Sequence, residues 1–485
     1  MIILVGSKID QSTIQASLGK PEYSYFFLMQ EFVPVLERIG RVIVVNDAAE
    51  IDSCYLRHAA LGEQVVFLSF SPPQQTLLGL QCPTIPVFAW EFDNLPDEAW
   101  HGDARNDWRH VFERTQGAIT LSQEAAAAVR QAMGEAYPIL VIPAPVWDRF
   151  ASCFPEGGWL PDLAERRLSF TGHVIDSPLL GLSADGLVRK PEPVSTTGPK
   201  AVARTLTWHE RGLTSLALAR GWWQEVATVF APPPVREGSE IAEPVMAKAL
   251  PVACETVLQG VMYTTVLNPG DHRKNWIDMV SAFCWAFKTV SDATLVIKMT
   301  HHDLESYRIH LLTLLSRLAP FQCRVIVIHG FLEEREYFQL CQQSTYYVNT
   351  SVCEGLCLPL MEFMSAGKPA IAPLHTAMLD YLHDDSAFVV GSAPQPASWP
   401  HDSSAKLKAR LHRINWESVM NAYRESYRIA REQPQAYQQM SVNAHQRLQA
   451  FCALTHVEQL LRPFLMAHAG DGVIPAPQVT EHSAP

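Results

Sequence analysis

The sequence lacks the patterns that mark several common protein classes. Its ten cysteines are scattered and no two form a C-x2-C pair, which argues against a zinc ribbon and against a disulfide scaffold. No uncharged apolar run reaches the ~18 residues of a spanning helix, and the N-terminus lacks the basic segment and long apolar core of a signal peptide. We therefore expect a soluble protein with reduced cysteines, in the cytoplasm or at the inner face of the membrane.

Positive charge is also scarce. Lysine and arginine total 38 against 50 aspartates and glutamates, so the formal net charge is −12. A chain this acidic lacks the electrostatic footprint of a nucleic-acid-binding protein. The net charge does not exclude a local basic cleft for one phosphorylated ligand. The 485 residues, 48% of them hydrophobic, are enough for real cores. At ~100–200 residues per domain, the length predicts two to four domains.

What the sequence does contain is an alternation of short apolar runs and helical patterns. Over 1–150, runs such as Ile2–Val5 and Gln64–Phe70 alternate with helical patterns such as Phe26–Ile39, and Ser122 is placed to cap a helix. The alternation resumes over 258–400. This order predicts parallel sheets with helices on both faces.

The remaining segments are less regular. Residues 151–257 are interpreted as an insertion of uncertain structure, in which Leu213–Phe230 forms a helix with paired tryptophans at 222 and 223. This helix either packs into the body of the protein or contacts a membrane surface or a lipid-linked acceptor. Two long helices are predicted after residue 404, within 401–467, and the tail over 468–485 is expected to be disordered.

The segment Ser351–Pro373 (SVCEGLCLPLMEFMSAGKPAIAP) predicts a strand end, a tight turn and a short helix in succession. Pro359 suits the first turn of a helix, where its missing N–H costs nothing, and Gly367 stands where a helix C-cap would lie. Free backbone N–H groups and the helix dipole make such a turn an anion site. We expect a pyrophosphate there.

Two carboxylates frame this turn. Glu354 lies in the turn itself, and Glu362 follows eight positions later, about one turn into the helix. A glutamate can accept hydrogen bonds from two vicinal sugar hydroxyls, one on each oxygen. One carboxylate near a donor sugar and one near a ribose would bracket a sugar nucleotide.

The segment EGLCLPLME, followed by FMSAGKPAIA, resembles the E-x7-E signature of retaining GT-B glycosyltransferases, most closely that of glycosyltransferase family 4. In the family's usual form, E-G-F-G-L-P-x-x-E-A-M-A-x-G-x-P-V, the places of Leu356 and Cys357 hold Phe and Gly. The change of Gly to Cys should alter how the backbone approaches the donor. The resemblance, strongest over 260–390, implies a catalytic role for Glu354. The donor-binding residues that it implies in this segment are Gly355, Leu356, Cys357, Leu358 and Glu362.

The upstream segment LNPGDHRKNWIDMVSAF resembles the first strand, loop and helix of the family's donor domain. Its Lys274 matches the lysine that contacts the donor phosphates, and Asn275 continues the family's usual K-N or K-G. The family normally has an arginine about five residues before that lysine, and this place holds Pro269 here. Arg273 is the residue that could replace it, so the resemblance implies catalytic roles for Lys274 and Arg273.

The same resemblance implies further nucleotide contacts. Lys298 lies at a strand end, and Gly330 and Phe331 match the base-binding loop. The adjacent His301 and His302 suggest a metal, but adjacent histidines rarely bind one ion together, and structural or nucleotide contact is the preferred interpretation. The chain also lacks the D-x-D motif by which another large class of sugar-nucleotide transferases holds a divalent ion. We therefore expect no metal and no other cofactor besides the donor substrate.

On the acceptor side, the segment AWEFDNLPDEAW follows an N-terminal strand. Trp90, Glu91 and Asp93 are the candidate acceptor-binding residues there, with the aromatic ring stacking on a sugar face. The alternative is an ordinary strand-end loop. The loop Gly6–Lys8 after the first strand is a less specific candidate for facing the donor phosphates.

Together these features imply an α/β protein of GT-B fold, with two Rossmann-like domains facing across a cleft and a long insertion between them. The domain over 1–150 would bind the acceptor, the domain over 258–400 would bind the nucleotide-sugar donor, and the helices over 401–467 would pack back on the N-terminal domain.

The implied activity is a metal-independent, retaining transfer of a hexose from a UDP- or GDP-sugar to a glycan or lipid-linked acceptor. Surface polysaccharide or glycoconjugate synthesis is the expected role, with peripheral membrane association as a further expectation. Two alternatives stay open. One is another GT-B enzyme, such as an epimerase or a phosphorylase. The other is a non-catalytic GT-B scaffold or partner subunit, which the missing arginine and Cys357 favour.

Overall fold

The computed structural model describes residues 1–7, 21–180, 208–230, 252–300, 304–399 and 407–470. Lys8, His301, His302 and most of the 468–485 tail lie outside the described residues. The chain divides into two compact units. The first comprises Met1–Val146 and Ala450–Pro485, and the second comprises Trp147–Gln449.

The first unit is built on a six-stranded, wholly parallel sheet in the order β2-β1-β3-β4-β5-β6. Its inner strands are short runs of aliphatic, β-branched and aromatic residues that are buried on both faces, as is usual in parallel sheets. The strands are β1 (Ile2–Ser7), β2 (Arg41–Val44), β3 (Val65–Phe70), β4 (Thr84–Phe88), β5 (Ala118–Thr120) and β6 (Ile139–Val141).

The two helices that the sequence predicts in this unit, Phe26–Ile39 and the helix capped by Ser122, are both present. The Ser122 hydroxyl accepts a hydrogen bond from the Ala125 N–H at 3.2 Å, which confirms the predicted cap, and α1 continues through Pro34. The helices are α1 (Pro21–Ile39), α2 (Ala48–Ala59), α3 (Trp108–Phe112), α4 (Gln123–Met133) and α13 (Leu454–His468). Helix α13, from the 401–467 segment, packs on α1.

The second unit contains an eight-stranded sheet in the order β14-β13-β12-β9-β10-β11-β7-β8. The strands from β9 to β14 are parallel to one another. Strand β7 runs antiparallel to both of its neighbours, β11 and β8, and β8 is the edge strand on that side. All of β7 and all but the last residue of β8 come from the 151–257 segment, so part of that segment belongs to this sheet. The strands are β7 (Arg166–Asp176), β8 (Val252–Leu258), β9 (Val261–Leu267), β10 (Ala293–Met299), β11 (Arg324–His329), β12 (Tyr346–Val348), β13 (Ala370–Pro373) and β14 (Ala387–Val390).

Apolar cores cover both faces of this sheet. Because side chains alternate along a strand, Leu295 and Ile297 of β10 join one core, while Val296 joins the other. The helices of the unit are α5 (Trp147–Phe150), α6 (Trp208–Phe230), α7 (Trp276–Ala286), α8 (Leu304–Leu318), α9 (Glu334–Gln343), α10 (Leu358–Ser365), α11 (Trp416–Glu432) and α12 (Pro434–Cys452), whose last turn crosses the unit boundary.

Long helices follow residue 404 as predicted, but their number differs from the predicted two and a hairpin precedes them. The described residues hold a hairpin, β15 (Ser392–Ser398) with β16 (Lys408–Ile414), and then three helices, α11, α12 and α13. Asn415 caps α11 by accepting from the Ser418 N–H at 3.0 Å, and Pro434 begins α12 where its missing N–H is tolerated.

The predicted fold class is confirmed, since the chain is an α/β protein with two Rossmann-like units, each with a largely or wholly parallel sheet. Within the described residues, no helix is both long enough and apolar enough to cross a bilayer.

Candidate functional site

The carboxyl ends of β9 and β12 carry the two segments that the sequence singled out. These strands are paired in the sheet, so the turn His272–Lys274 before α7 lies beside the loop that leads into α10. The Val352 N–H donates to the Arg273 carbonyl at 2.8 Å, and the Thr350 hydroxyl donates to the Lys274 carbonyl at 3.2 Å. One backbone and one side-chain hydrogen bond to carbonyl oxygens thus fix one loop against the other.

The three residues predicted to be catalytic meet at this junction. Lys274 Nζ lies 2.5 Å from Glu354 Oε1, and Arg273 Nη1 lies 2.7 Å from Glu354 Oε2. The Ser351 hydroxyl donates to Oε1 at 2.6 Å. Arg273 also pairs with Asp271 at 2.8 Å. The cluster therefore holds two cations and two carboxylates, with Glu354 at its centre.

Glu354 is ionised in this setting. Its residue is only 2% exposed, and burial alone would raise the pKa of the carboxyl. The charges of Lys274 and Arg273, with hydrogen bonds from Lys274 and Ser351, outweigh that effect and hold the pKa of Glu354 well below its usual range. A buried carboxylate with this many donors has a fixed position.

Backbone strain is concentrated around the same carboxylate. Four non-glycine residues among those described have a positive φ, and Asn275 (49°), Cys357 (66°) and Thr376 (50°) are three of them. The Thr376 hydroxyl accepts from the Glu354 N–H at 3.0 Å. A β-branched residue with positive φ is an outlier, and such strain clusters at functional sites.

The same dihedral angles explain two features of the sequence pattern. Asparagine and glycine are the residue types that adopt the left-handed conformation most readily. The glycosyltransferase pattern that this segment resembles has asparagine or glycine at the position of Asn275. Cys357 keeps a left-handed backbone in the place where the family has glycine, and its Sγ accepts from Asn349 Nδ2 at 3.0 Å. The loop therefore holds the conformation that glycine would favour although Cys occupies the position.

Helix α10 begins directly after this loop. Cys357 is its N-cap residue and provides no side-chain cap, while Pro359 lies in the first turn as predicted. The Cys357 carbonyl accepts from the Leu360 N–H at 3.1 Å and from the Met361 N–H at 3.3 Å, and Pro359 has no N–H. The attraction of this helix end for an anion therefore comes mainly from the helix dipole. At the other end, the C-cap residue is Ala366, and Gly367 directly after it has the positive φ, 77°, that terminates many helices, one position beyond the predicted C-cap.

The second signature carboxylate, Glu362, lies on α10. Tyr337 of α9 donates its hydroxyl proton to Glu362 Oε2 at 2.5 Å, and its ring packs edge-on against Phe150 and Phe363. Burial and the charge of Glu362 raise the pKa of Tyr337 well above its usual value, so the phenol stays protonated as a donor.

Lys298, predicted to contact the nucleotide, is a buried lysine at the carboxyl end of β10. It is 4% exposed and lies on the same face of the sheet as Val296. Its neighbours on the adjacent strands are Val266 of β9 and Ile328 of β11. Burial lowers the pKa of its ammonium to about 8, and no opposite charge among the described residues offsets this.

The predicted base-binding loop follows β11. Gly330 has a φ of 149°, and a Cβ there would lie 2.7 Å from the Thr171 carbonyl oxygen, so close backbone packing requires glycine. Phe331 is partly exposed beside it. Both residues therefore lie at the carboxyl edge of the same sheet as Lys298.

Sequence reasoning missed several residues of this site. Ser351, Thr376 and Tyr337 contact the predicted glutamates but belong to no motif. His375, next to Thr376, is 1% exposed and stacks on His412 with ring centroids 4.3 Å apart. Burial and His412 lower the pKa of His375 to about 3, so this imidazole is neutral. Only the three-dimensional structure identifies these neighbours.

The predicted acceptor-side residues lie in the first unit. Trp90 is 5% exposed, its indole N–H donates to the Asn94 carbonyl at 2.6 Å, and its ring packs 4.4 Å from that of Trp108. This burial does not support stacking of Trp90 on a sugar. Glu91 and Asp93 are partly exposed and remain the acceptor-side prediction.

The part of the chain that the structure describes contains no group of three or more His, Cys, Asp or Glu side chains that could hold a metal ion. Its described cysteines are free thiols. The side chains that meet at the junction of β9 and β12 carry ammonium, guanidinium and carboxylate groups. Such groups bind phosphates and sugar hydroxyls.

No protein-family model matches the chain. The sequence is 30% identical over 133 residues to the candidate glycosyltransferase 48 of Sulfolobus islandicus filamentous virus (isolate Iceland/Hveragerdi). That match covers 27% of this chain and 40% of the viral protein, so the chain spans well under half of that relative's length.

Several solved structures have a similar backbone. Anabaena HepE in complex with UDP and glucose is 11% identical, with 96% of this chain and 100% of that chain covered and a TM-score of 0.48. The trehalose-6-phosphate synthase OtsA is 9% identical, with 96% and 99% covered and a TM-score of 0.49. The pneumococcal O-GlcNAc transferase GtfA in complex with UDP and GlcNAc is 12% identical, with 87% and 59% covered and a TM-score of 0.42. All three scores lie below 0.5, so the case for a function rests on the geometry of the site.

Proposed function

We propose that this protein is a glycosyltransferase that transfers a sugar from a nucleotide-diphosphate sugar. The observation that carries the proposal is the meeting of Lys274, Arg273 and the buried Glu354 at paired strand ends, beside the N-terminus of α10. Two cations beside the positive end of a helix dipole suit a diphosphate. A fixed carboxylate within the same cluster suits the hydroxyls of the sugar attached to it.

In the proposed reaction, stabilising the departing diphosphate is the main electrostatic task. Lys274, Arg273 and the first turn of α10 would neutralise the charge that develops as the glycosidic bond to phosphate breaks. Glu354 would orient the donor sugar by accepting from its hydroxyls. The turn residues that would border the diphosphate and the sugar are Gly355, Leu356, Cys357 and Leu358.

The nucleoside would lie farther along the same edge of the sheet. Glu362, held by Tyr337, would accept from the ribose hydroxyls. Gly330 and Phe331 would border the base, and Lys298 would offer a positive charge to the nucleotide. Burial of the Lys298 ammonium supports this role, because an anionic ligand would supply an opposite charge that none of the described residues provides.

The finer parts of the proposal rest on the sequence resemblance. They are membership of glycosyltransferase family 4 through the E-x7-E signature, the GT-B arrangement with a retaining outcome, and hexose transfer without a metal. We propose 1–150 as the acceptor domain, with Glu91 and Asp93 on the acceptor side, and 258–400 as the donor domain. The proposed pathway is surface polysaccharide or glycoconjugate synthesis in the cytoplasm or at the inner face of the membrane, with a glycan or lipid-linked acceptor.

A donor screen tests the proposal. Thermal unfolding of the full chain would be followed with UDP-, GDP- and ADP-sugars, because a ligand that binds the folded state raises the midpoint. We expect stabilisation by one nucleotide class, lost in Lys274→Met and retained in Lys408→Met, which changes an exposed lysine elsewhere. Stabilisation by no nucleotide sugar would overturn the proposal.

The stereochemistry and the metal are tested with the donor so identified. Product linkage read by NMR should show retention of the anomeric configuration, and an inverted product contradicts the family assignment. Chelation with EDTA should leave the rate unchanged, and a rate restored only by a divalent ion contradicts metal independence.

A non-catalytic partner subunit is the second candidate. The observation that favours it is that Lys274 and Arg273 are already paired with Glu354 and Asp271, as in a purely structural ion cluster. In that case Glu354→Gln would lower stability without changing nucleotide binding. If the protein is a transferase, the same variant loses the difference in affinity between the sugar nucleotide and the free nucleoside diphosphate.

A further inference from the structure

One face of helix α6 packs against the rest of the second unit, to which the helix belongs. It packs along α8, and a side chain at Gly221 would collide with Thr313 and Ile309 of that helix. Leu218 packs against the large apolar core. One side of α6 therefore has a partner within the protein.

The opposite side of α6 is apolar and exposed. At about 100° per residue, six large apolar positions fall within one half of the helix circumference. Trp208 is 85% exposed, Leu216 is 70% and Trp223 is 73%. The full set is Trp208, Leu213, Leu216, Trp222, Trp223 and Val226. A contiguous exposed apolar face of this kind marks an interaction surface rather than ordinary surface scatter.

Arginines accompany the exposed tryptophans. The guanidinium of Arg317, from α8, lies 4.9 Å from the ring centroid of Trp222, and that of Arg211 lies 5.7 Å from the ring of Trp208. Arg220 is also exposed on the helix. These arginines place positive charge beside the exposed rings, on a chain whose formal net charge is −12.

We infer that the exposed face of α6 binds the surface of an anionic lipid bilayer, with its tryptophans among the headgroups. Three observations favour a bilayer over a second protein copy. Tryptophan is the residue type enriched at membrane–water interfaces, arginines beside the rings match anionic headgroups, and the face runs along a helix about 34 Å long, as in helices that lie in the interface plane. The helix also contains Glu210 and Glu225, so apolar contact supplies most of the binding and the arginines add selectivity. This inference does not depend on the proposed catalysis.

The test is co-sedimentation of the full-length protein with vesicles of phosphatidylcholine, alone or mixed with phosphatidylglycerol. We expect binding to both, with tighter binding to the anionic vesicles. The double variant L216S/W223S should lower the partition coefficient at least about tenfold, since each side chain contributes about 1.5 kcal/mol or more when buried.

A matched control is L61S/W285S, which removes one leucine and one tryptophan that are 72% and 56% exposed on other surfaces. It should bind as the wild type does, and both double variants should keep the wild-type unfolding midpoint. Failure of the wild type to bind anionic vesicles overturns the inference, as does equal binding by L216S/W223S. A concentration-dependent dimer in light scattering that L216S/W223S abolishes would assign the face to a second copy instead.

Discussion

Replacing Lys274 by methionine should lower the free energy of unfolding by about 2 kcal/mol at neutral pH. The Glu354 carboxylate is buried and accepts from Lys274, Arg273 and Ser351. Removing the partner of a buried ion costs about 3–5 kcal/mol when the charge is left alone. Here Arg273 and Ser351 remain, so the cost is the smaller figure, and methionine keeps the apolar stem.

The effect should depend on pH in a defined direction. The pKa of Glu354 is lowered in the folded protein, against about 4.3 for an unfolded glutamate. Its contribution to stability is therefore fully present above about pH 4.3 and is lost as the pH falls towards the folded pKa. The stability difference between wild type and Lys274→Met should shrink steadily below about pH 4.

Urea unfolding of the full chain at pH 7 and at lower pH measures this difference. A double-mutant cycle with Glu354→Gln should give a coupling energy of about 1–2 kcal/mol, because the two side chains are in contact. Lys408→Met is the control and should change stability by less than about 0.5 kcal/mol. A Lys274→Met variant as stable as the control, or strictly additive with Glu354→Gln, would refute the contact and the argument built on it.

Three further predictions follow from single residues. Burial lowers the pKa of Lys298 to about 8, so Lys298→Met should be more stable than wild type by about 2–3 kcal/mol at pH 7 in urea unfolding. This stability difference should close as the pH rises from 8 to about 10.4, the pKa of an unfolded lysine. A Lys298→Met variant that is less stable than wild type at pH 7 would contradict the prediction. Because Cys357 has a φ of 66°, Cys357→Gly should be at least as stable as Cys357→Ala, the reverse of the order in an ordinary helix, and thermal unfolding decides between the two orders. Tyr337→Phe removes the hydrogen-bond donor to Glu362. It should raise the Kd for the nucleotide sugar about tenfold, measured by calorimetry, with little change in kcat. An unchanged Kd would show that this hydrogen bond does not serve the ligand.

Local signals in the sequence located the elements that carry the site. Ser122, Pro359 and Gly367 mark helix ends because their backbone or side-chain chemistry acts within one turn of the chain. The pairing of β7 with β8 left no such signal, since the intervening chain separates Asp176 from Val252. Antiparallel pairing over that distance depends on tertiary packing, so the sequence pattern alone indicates an insertion there.

The site itself was predictable only in part. The two glutamates and Lys274 stand in a recognisable pattern, whereas Tyr337 reaches Glu362 from another helix, and Thr376 reaches Glu354 through a backbone conformation that threonine seldom adopts. Burial of Trp90 was equally hidden, because an aromatic residue after a strand suits a core as well as a sugar surface. These features depend on contacts between residues far apart in the sequence, and residue types alone do not reveal such contacts.

The charges at the junction constrain how a nucleotide sugar would enter it. Lys274 and Arg273 are balanced by Glu354 and Asp271, so the cluster without ligand is close to neutral and exerts little net attraction on a diphosphate. The phosphate must therefore replace a carboxylate as the partner of at least one cation, while the positive end of the α10 dipole supplies the remaining attraction. Once Lys274 turns to the phosphate, an oxygen of Glu354 is free to accept from a sugar hydroxyl. We thus expect phosphate binding and sugar positioning to be coupled, with the carboxylate that holds the cations in the free protein becoming the group that orients the sugar.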